Sequence, residues 1–167
     1  MPLIRAFEAS DWPQLRPLLQ EVFATGDTYA YAPQSADAEL HKTWIEGPEA
    51  TFVICGEDGK LLGSYALRPN QPGQGSHVAN CGYLVAPAAR GQGLATLMCE
   101  HSQAEAVRRG YRAMQFNLVV STNTGAVRLW QQLGFEIVGT LPGAFKHQRL
   151  GYVDAHVMFK TLSPKDS

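Results

Sequence analysis

The chain has 167 residues, 45% of them hydrophobic, which suits a single domain that buries its own core. Lys and Arg number 14 against 15 Asp and Glu, so the net charge of −1 offers no basic footprint for nucleic acid. Its three cysteines, Cys55, Cys81 and Cys99, form no Cys-x-x-Cys pair, which argues against a metal site and for reduced thiols in a cytoplasmic protein.

From the N-terminus, Met1–Glu8 lacks the apolar core of a secretory peptide, and no apolar run reaches the ~20 residues that span a bilayer. Leu3–Phe7 reads as a first strand. Ser10 can cap a following helix, whose apolar face is Trp12, Leu15, Leu18, Leu19, Val22 and Phe23. Pro17 interrupts that face, so the helix either kinks or starts later. Thr25–Pro33 reads as a loop and Ala36–Ile45 as a second helix. Thr51–Cys55 and Leu61–Arg68 flank Asp58-Gly59, a hairpin signal. Pro69–Ser76 is a loop before a central strand, Ala79–Val85. Gly82 inside that strand predicts a bulge or a close approach of backbone.

A turn, Arg90-Gly91-Gln92-Gly93, then opens a helix over Leu94, Leu97, Met98, His101, Ala104 and Val107. Gly110 suits its C-terminal cap. Glu105, Arg108 and Arg109 read as an exposed face of it. Met114–Val120 is the next strand, Asn123–Leu133 the next helix, and Phe135–Thr140 and Gly151–Lys160 the last two strands. Lys146, His147 and Arg149 fall in the loop between those strands, and Asp154 serves structure there. Residues 1–162 form one domain, with 163–167 a flexible tail. This order predicts a mixed α/β (α+β) fold in three layers, with a central sheet of about six or seven strands and helices on both faces. The exposed late strands point to a homodimer.

The strand–turn–helix at Arg90 carries the chemistry. Helix-first amides have no partner inside the helix, the peptide dipoles add positive charge, and Arg90 adds a full one. Glycines let the backbone come close, so the turn is a phosphate cradle. A dinucleotide fingerprint fails here, because Thr96 stands at its last Gly/Ala position and Met114–Val120 ends without an acid. A triphosphate loop fails for want of Gly-Lys-Ser/Thr. The pattern that fits is Arg/Gln-x-x-Gly-x-Gly/Ala, with Arg90, Gly93 and Ala95.

With these residues the chain resembles the GNAT-type acyl-CoA N-acyltransferase superfamily. Asn123 to Phe135 is similar to that superfamily's Asn-x-x-Ala-x-x-Leu-Tyr-x-x-x-Gly-Phe segment, with Trp130 in place of Tyr. The order of elements agrees throughout. The resemblance implies acetyl-CoA as co-substrate and a small-molecule amine as acceptor, with no metal and no partner membrane or nucleic acid. It places the diphosphate on Arg90, on the amides of Gly91, Gly93, Leu94 and Ala95 and on the Thr96 hydroxyl, and the pantetheine arm between two splayed strands, against the backbone of Leu84 and Val85. Asn123 caps its helix and also meets the coenzyme. Trp130 cannot supply the acid that a Tyr would.

Asn80 and Asn117 are polar amides inside apolar strands. With Cys81, Phe116-Asn117-Leu118-Val119 and Thr122-Asn123 they are similar to a subgroup that acetylates proline analogues and related amino compounds. There the matching asparagines hold the substrate and so would act in catalysis; alternatively both merely satisfy a bulged backbone. Tyr29 and Tyr31 lie in the loop that covers the acceptor in this superfamily, or pack over the core. A peptide or protein N-terminus is the alternative acceptor, and a non-catalytic acyl-CoA-binding regulator the alternative role.

Overall fold

The computed structural model describes residues 1–162; the expected tail, 163–167, lies outside the described residues. β1 (Leu3–Ala6) passes through a 3-10 turn, Ala9–Asp11, into α1 (Trp12–Ala24). Ser10 is not the cap that the sequence suggested. A capping box between Glu8 and Asp11 opens the 3-10 turn instead: the Asp11 carboxylate accepts the Glu8 amide at 2.8 Å and holds Arg5 through two hydrogen bonds of 2.8 Å. The helix runs through Pro17. Pro17 sits early in it, so what is lost is a single bond to the Pro13 carbonyl.

α2 (Asp37–His41) widens into a π-helical turn, Lys42–Glu46, closed by the Gly47 amide on the Lys42 carbonyl at 2.8 Å. Trp44 on that turn is buried, and its indole N–H donates to Ser64 Oγ at 2.9 Å. β2 (Ala50–Cys55) and β3 (Leu61–Pro69) form the expected hairpin, with Gly59 at φ +79° in its turn. Then come β4 (Val78–Val85), α3 (Leu94–Arg108), β5 (Ala113–Val120) and α4 (Thr124–Gln132). The chain closes with β6 (Glu136–His147) and β7 (Gly151–Thr161). β6 continues through Lys146 and His147, which the sequence reading had left in a loop. The His147 ring accepts the Arg149 and Leu150 amides at 3.1 Å each and so closes the β6–β7 turn.

The sheet has seven strands in the order β1-β2-β3-β4-β5-β7-β6. One neighbouring pair is parallel, β4 with β5, and the rest are antiparallel. α1 and α2 cover one face around Leu15, Leu19, Phe23, Leu40 and Trp44. α3 and α4 cover the other, where Met98, Cys99, Met114 and Phe116 are buried and Trp130 packs against them. These are the three layers that the sequence predicted. Glu105 is a correction: it is 8% exposed, gripped by Arg108 and by Arg109 Nε at 2.7 Å, rather than part of a solvated face. Among the described residues, no helix is long and apolar enough to cross a membrane.

Two irregularities position the site. β4 and β5 pair only at Val78–Ala113 and Ala79–Met114, and beyond that they part. β5 is bulged against β7, since Phe116 faces Met158 while Val119 faces His156. Of the two sequence options at Gly82, a bulge or a close approach, the bulge is absent, since β4 keeps unbroken register with β3 from Pro69–Ala79 to Gly63–Val85. What comes close to Gly82 is a side chain: a Cβ there would lie 3.2 Å from the Trp44 ring and 3.7 Å from that of Tyr29.

Candidate functional site

Past Ala79 the parted strands leave main-chain groups of β4 without a sheet partner. Alternation decides which ones face the gap. The Leu84 carbonyl points to β3, only 2.5 Å from a Cβ built on Gly63, and the next amide on that side, Ala86, bonds to Leu62 at 2.8 Å. Tyr83 and Val85 therefore direct their groups into the gap, which corrects the expectation for Leu84: its main chain is committed to β3. Tyr29 uses one of them, donating its hydroxyl to the Tyr83 carbonyl. Burial holds the Tyr29 phenol above its usual range, so it remains a donor.

A cavity of about 480 Å³ follows the gap. Its walls include Leu84, Val85, Arg90, Ala95, Asn123 and Trp130. Arg90 is exposed at its mouth, on the turn before α3. Gly91 and Gly93 hold φ of +80° and +75°, a backbone that a side chain strains. The first intrahelical bond of α3 runs from the Leu97 amide to the Gly93 carbonyl at 3.1 Å. The amides of Leu94, Ala95 and Thr96 thus precede the helical ladder. Leu94 is buried by its side chain, so only its amide could meet a ligand. Asn123 caps α4 as expected, its Oδ1 accepting the Ala126 amide at 3.4 Å. Trp130 is both core and wall: its ring lies 5.1 Å from those of Tyr83 and Phe116.

A second cavity, of about 280 Å³, lies on the α1–α2 side of the sheet. It is lined by Asn80, Asn117, Tyr29 and Tyr31, so the structure brings together all four residues proposed for the acceptor. The two cavities meet where Tyr29, Cys81, Gly82 and Leu118 border both. Asn80 donates to Asn70 Oδ1 at 3.2 Å, and Asn117 Oδ1 accepts from Gln115 at 3.0 Å beside the β5 bulge. Tyr29 and Tyr31 stack at 6.2 Å, and each packs on Phe23. Among the described residues, no carboxylate or imidazole lines this cavity. Cys81 borders it, but burial pushes that thiol up to about 12, so it stays neutral.

Comparison with known proteins agrees with this geometry. Residues 12–135 match the model of the Acetyltransferase (GNAT) family. The chain belongs to the GNAT acetyltransferase family. Its domain is that of an acyl-CoA-dependent acetyltransferase. A GCN5-related N-acetyltransferase from Kribbella flavida is 45% identical, with a TM-score of 0.91 over 96% of this chain and 98% of that one. N-acetyltransferase aca1 of Schizosaccharomyces pombe is 38% identical over 100 residues, which is 58% of this chain and 47% of that protein. The chain thus spans about half the length of this relative. The GNAT fold also recurs in a phosphinothricin acetyltransferase from Sinorhizobium meliloti, a structure solved with AcCoA, at TM-score 0.86, 17% identity, and 97% and 89% coverage.

Arg68 is a lining residue that the sequence reading passed over. The available signal was a lone cation ending the otherwise apolar and small run Leu61–Leu67. Trp44 also lines this cavity, and its aromatic cover of Gly82 was legible only in three dimensions.

Proposed function

We propose that the protein moves the acetyl group of acetyl-CoA to the amine of a small molecule, an amino acid or an analogue. The observation that carries this reading is the meeting of two cavities at the gap between β4 and β5, one running to the glycine turn and the other holding the asparagines. In this reading Arg90 and the amides of Gly91, Gly93, Leu94, Ala95 and Thr96 take the diphosphate. Tyr83 and Val85 offer main chain to the pantetheine arm, in the manner of an added strand. Leu84 contributes its side chain to the wall. Asn123 and Trp130 flank the thioester. Asn80, Asn117, Tyr29 and Tyr31 hold the acceptor.

The neutral amine attacks the thioester carbonyl; a C–N bond forms, the C–S bond breaks, and coenzyme A leaves as a thiolate that takes up the amine's proton through solvent. The ammonium of a free amino acid titrates above the ~8 of a peptide N-terminus, because its own carboxylate stabilises it, so only a small fraction is neutral near pH 7 and turnover should climb as pH rises. The neutral Cys81 thiol supports direct transfer over an acyl-cysteine relay. Free buried thiols at Cys55, Cys81 and Cys99 support a cytoplasmic setting. The partners of this reading are the amine and a second copy of the chain.

Release of free thiol from acetyl-CoA, measured over amino acids, simple amines and peptides, tests it. We expect steady turnover with amino acids. Arg90→Glu should weaken acetyl-CoA binding at least about tenfold at unchanged melting temperature. Asn117→Ala should raise the acceptor's KM while acetyl-CoA affinity holds. Tight acetyl-CoA binding without turnover on any amine would overturn the reading in favour of a regulator, and turnover confined to peptides would overturn the small acceptor.

A further inference from the structure

Arg68 stands directly across from Asn80 in the β3–β4 register, on the sheet face that forms the floor of the 280 Å³ cavity. Its Nη2 donates to the Thr43 carbonyl at 2.9 Å, which is its hydrogen-bond partner among the described residues. A guanidinium carries five N–H donors in a planar fork. Most of them are therefore uncommitted. Asn70 lines the same end of the cavity and accepts from Asn80 through its oxygen, so its own amide hydrogens also remain available.

No carboxylate lines this cavity among the described residues, so nothing on its walls neutralises the guanidinium. This half-buried guanidinium thus keeps free donors on the cavity side, where an incoming anion can pair with it. Planar, bidentate capture of a carboxylate is the geometry in which Arg excels. The cavity volume lies near the small end of ligand sites, a size that suits an amino acid.

We infer that Arg68, assisted by Asn70, is the anchor for a carboxylate on the acceptor, and that the enzyme acts on free amino acids rather than on bare amines. This rests on the acetyltransferase reading above. Anchoring that end of the molecule on β3 directs its amine across Asn80 and Gly82 toward the gap where the two cavities join. Arg68 thereby selects the substrate and positions it, without touching the reacting atoms.

The test compares amino acids with their own carboxamides, L-proline with L-prolinamide first, as acceptors from acetyl-CoA. In the wild type the acids should exceed the amides by at least about tenfold in kcat/KM, the effect of one charge-assisted pair. Arg68→Gln should abolish that preference by raising the KM of the acids, and Arg68→Lys should restore part of it. A merely structural Arg68 would lower acids and amides alike, and that result overturns the inference, as does a wild type that treats the two equally. Should no amine be acetylated, the acetyltransferase reading fails instead. Binding of L-proline against L-prolinamide, followed by calorimetry on wild type and Arg68→Gln, then decides the anion site by itself: loss of selective binding in the variant supports it, and equal binding overturns it.

Discussion

Tyr29 shows how one side chain links the two halves of the site. Its ring rests over Gly82, where no side chain intervenes, and its hydroxyl occupies the Tyr83 carbonyl in the gap. A pantetheine amide that bonds to β4 at this point competes with that hydroxyl for the carbonyl. Tyr29→Phe removes the competitor. We expect acetyl-CoA affinity to rise about two- to tenfold, the usual net worth of one hydrogen bond. Calorimetry reads this directly, and unchanged affinity would mean that the carbonyl is not used by the ligand. Asn80 and Asn117 stood out in the sequence as polar residues in apolar strands; the structure leaves Asn80 half-buried and Asn117 exposed. Arg68 did not stand out, because a cation at a strand end is ordinarily solvated, and only the packing of Trp44 and the 28–31 loop makes its surroundings a cavity.

The elements that frame the site are held by two buried carboxylates. Arg5 hydrogen bonds draw the Asp11 carboxyl below the usual carboxylate range against the opposing effect of burial, which ties β1 to the start of α1. Arg108, and then Arg109, do the same for Glu105 near the end of α3, again against burial. Both folded-state values are depressed, so their stabilisation is complete above the unfolded values of ~3.9 and ~4.3 and is lost as pH falls through the folded ones. We expect the melting temperature to hold from neutrality to about pH 5 and to fall steeply below about pH 4. Asp11→Asn should cost about 1–3 kcal/mol at pH 7 and make that acid decline shallower, as followed by thermal melts across pH. An acid decline identical to that of the wild type would show that this pair is not responsible. The i,i+3 and i,i+4 spacing of Glu105 with Arg108 and Arg109 was legible, but the burial of either carboxylate was not. Asp11 drew no reading of its own, and Glu105 read as part of an exposed helix face, because burial depends on what the sheet brings against them.

At the scale of the molecule, the seven-stranded sheet ends in β6, where Ile137, Val138 and Leu141 are 37%, 59% and 42% exposed. Register shifts at Ile137–Gly139 and Leu141–Phe145 blunt that edge for strand pairing, so we propose the exposed apolar side chains themselves as the surface for a second copy. We expect a dimer in sedimentation velocity and a monomer for Val138→Lys; a wild-type monomer at micromolar concentration removes the expectation. The order of elements, the hairpin at Asp58-Gly59 and the glycine turn at Arg90–Ala95 were all determined by local sequence. Each depends on periodicity, on glycine conformation or on amides at a helix start, and these are properties of neighbouring residues. The position of β7 between β5 and β6, the bulge in β5 rather than β4, and the convergence of Arg68, Asn80, Asn117 and Tyr29 on one cavity were decided by the tertiary structure. Those features arise from contacts between segments far apart in the chain. Their geometry is set by how strands pair and part, which no single stretch of sequence encodes.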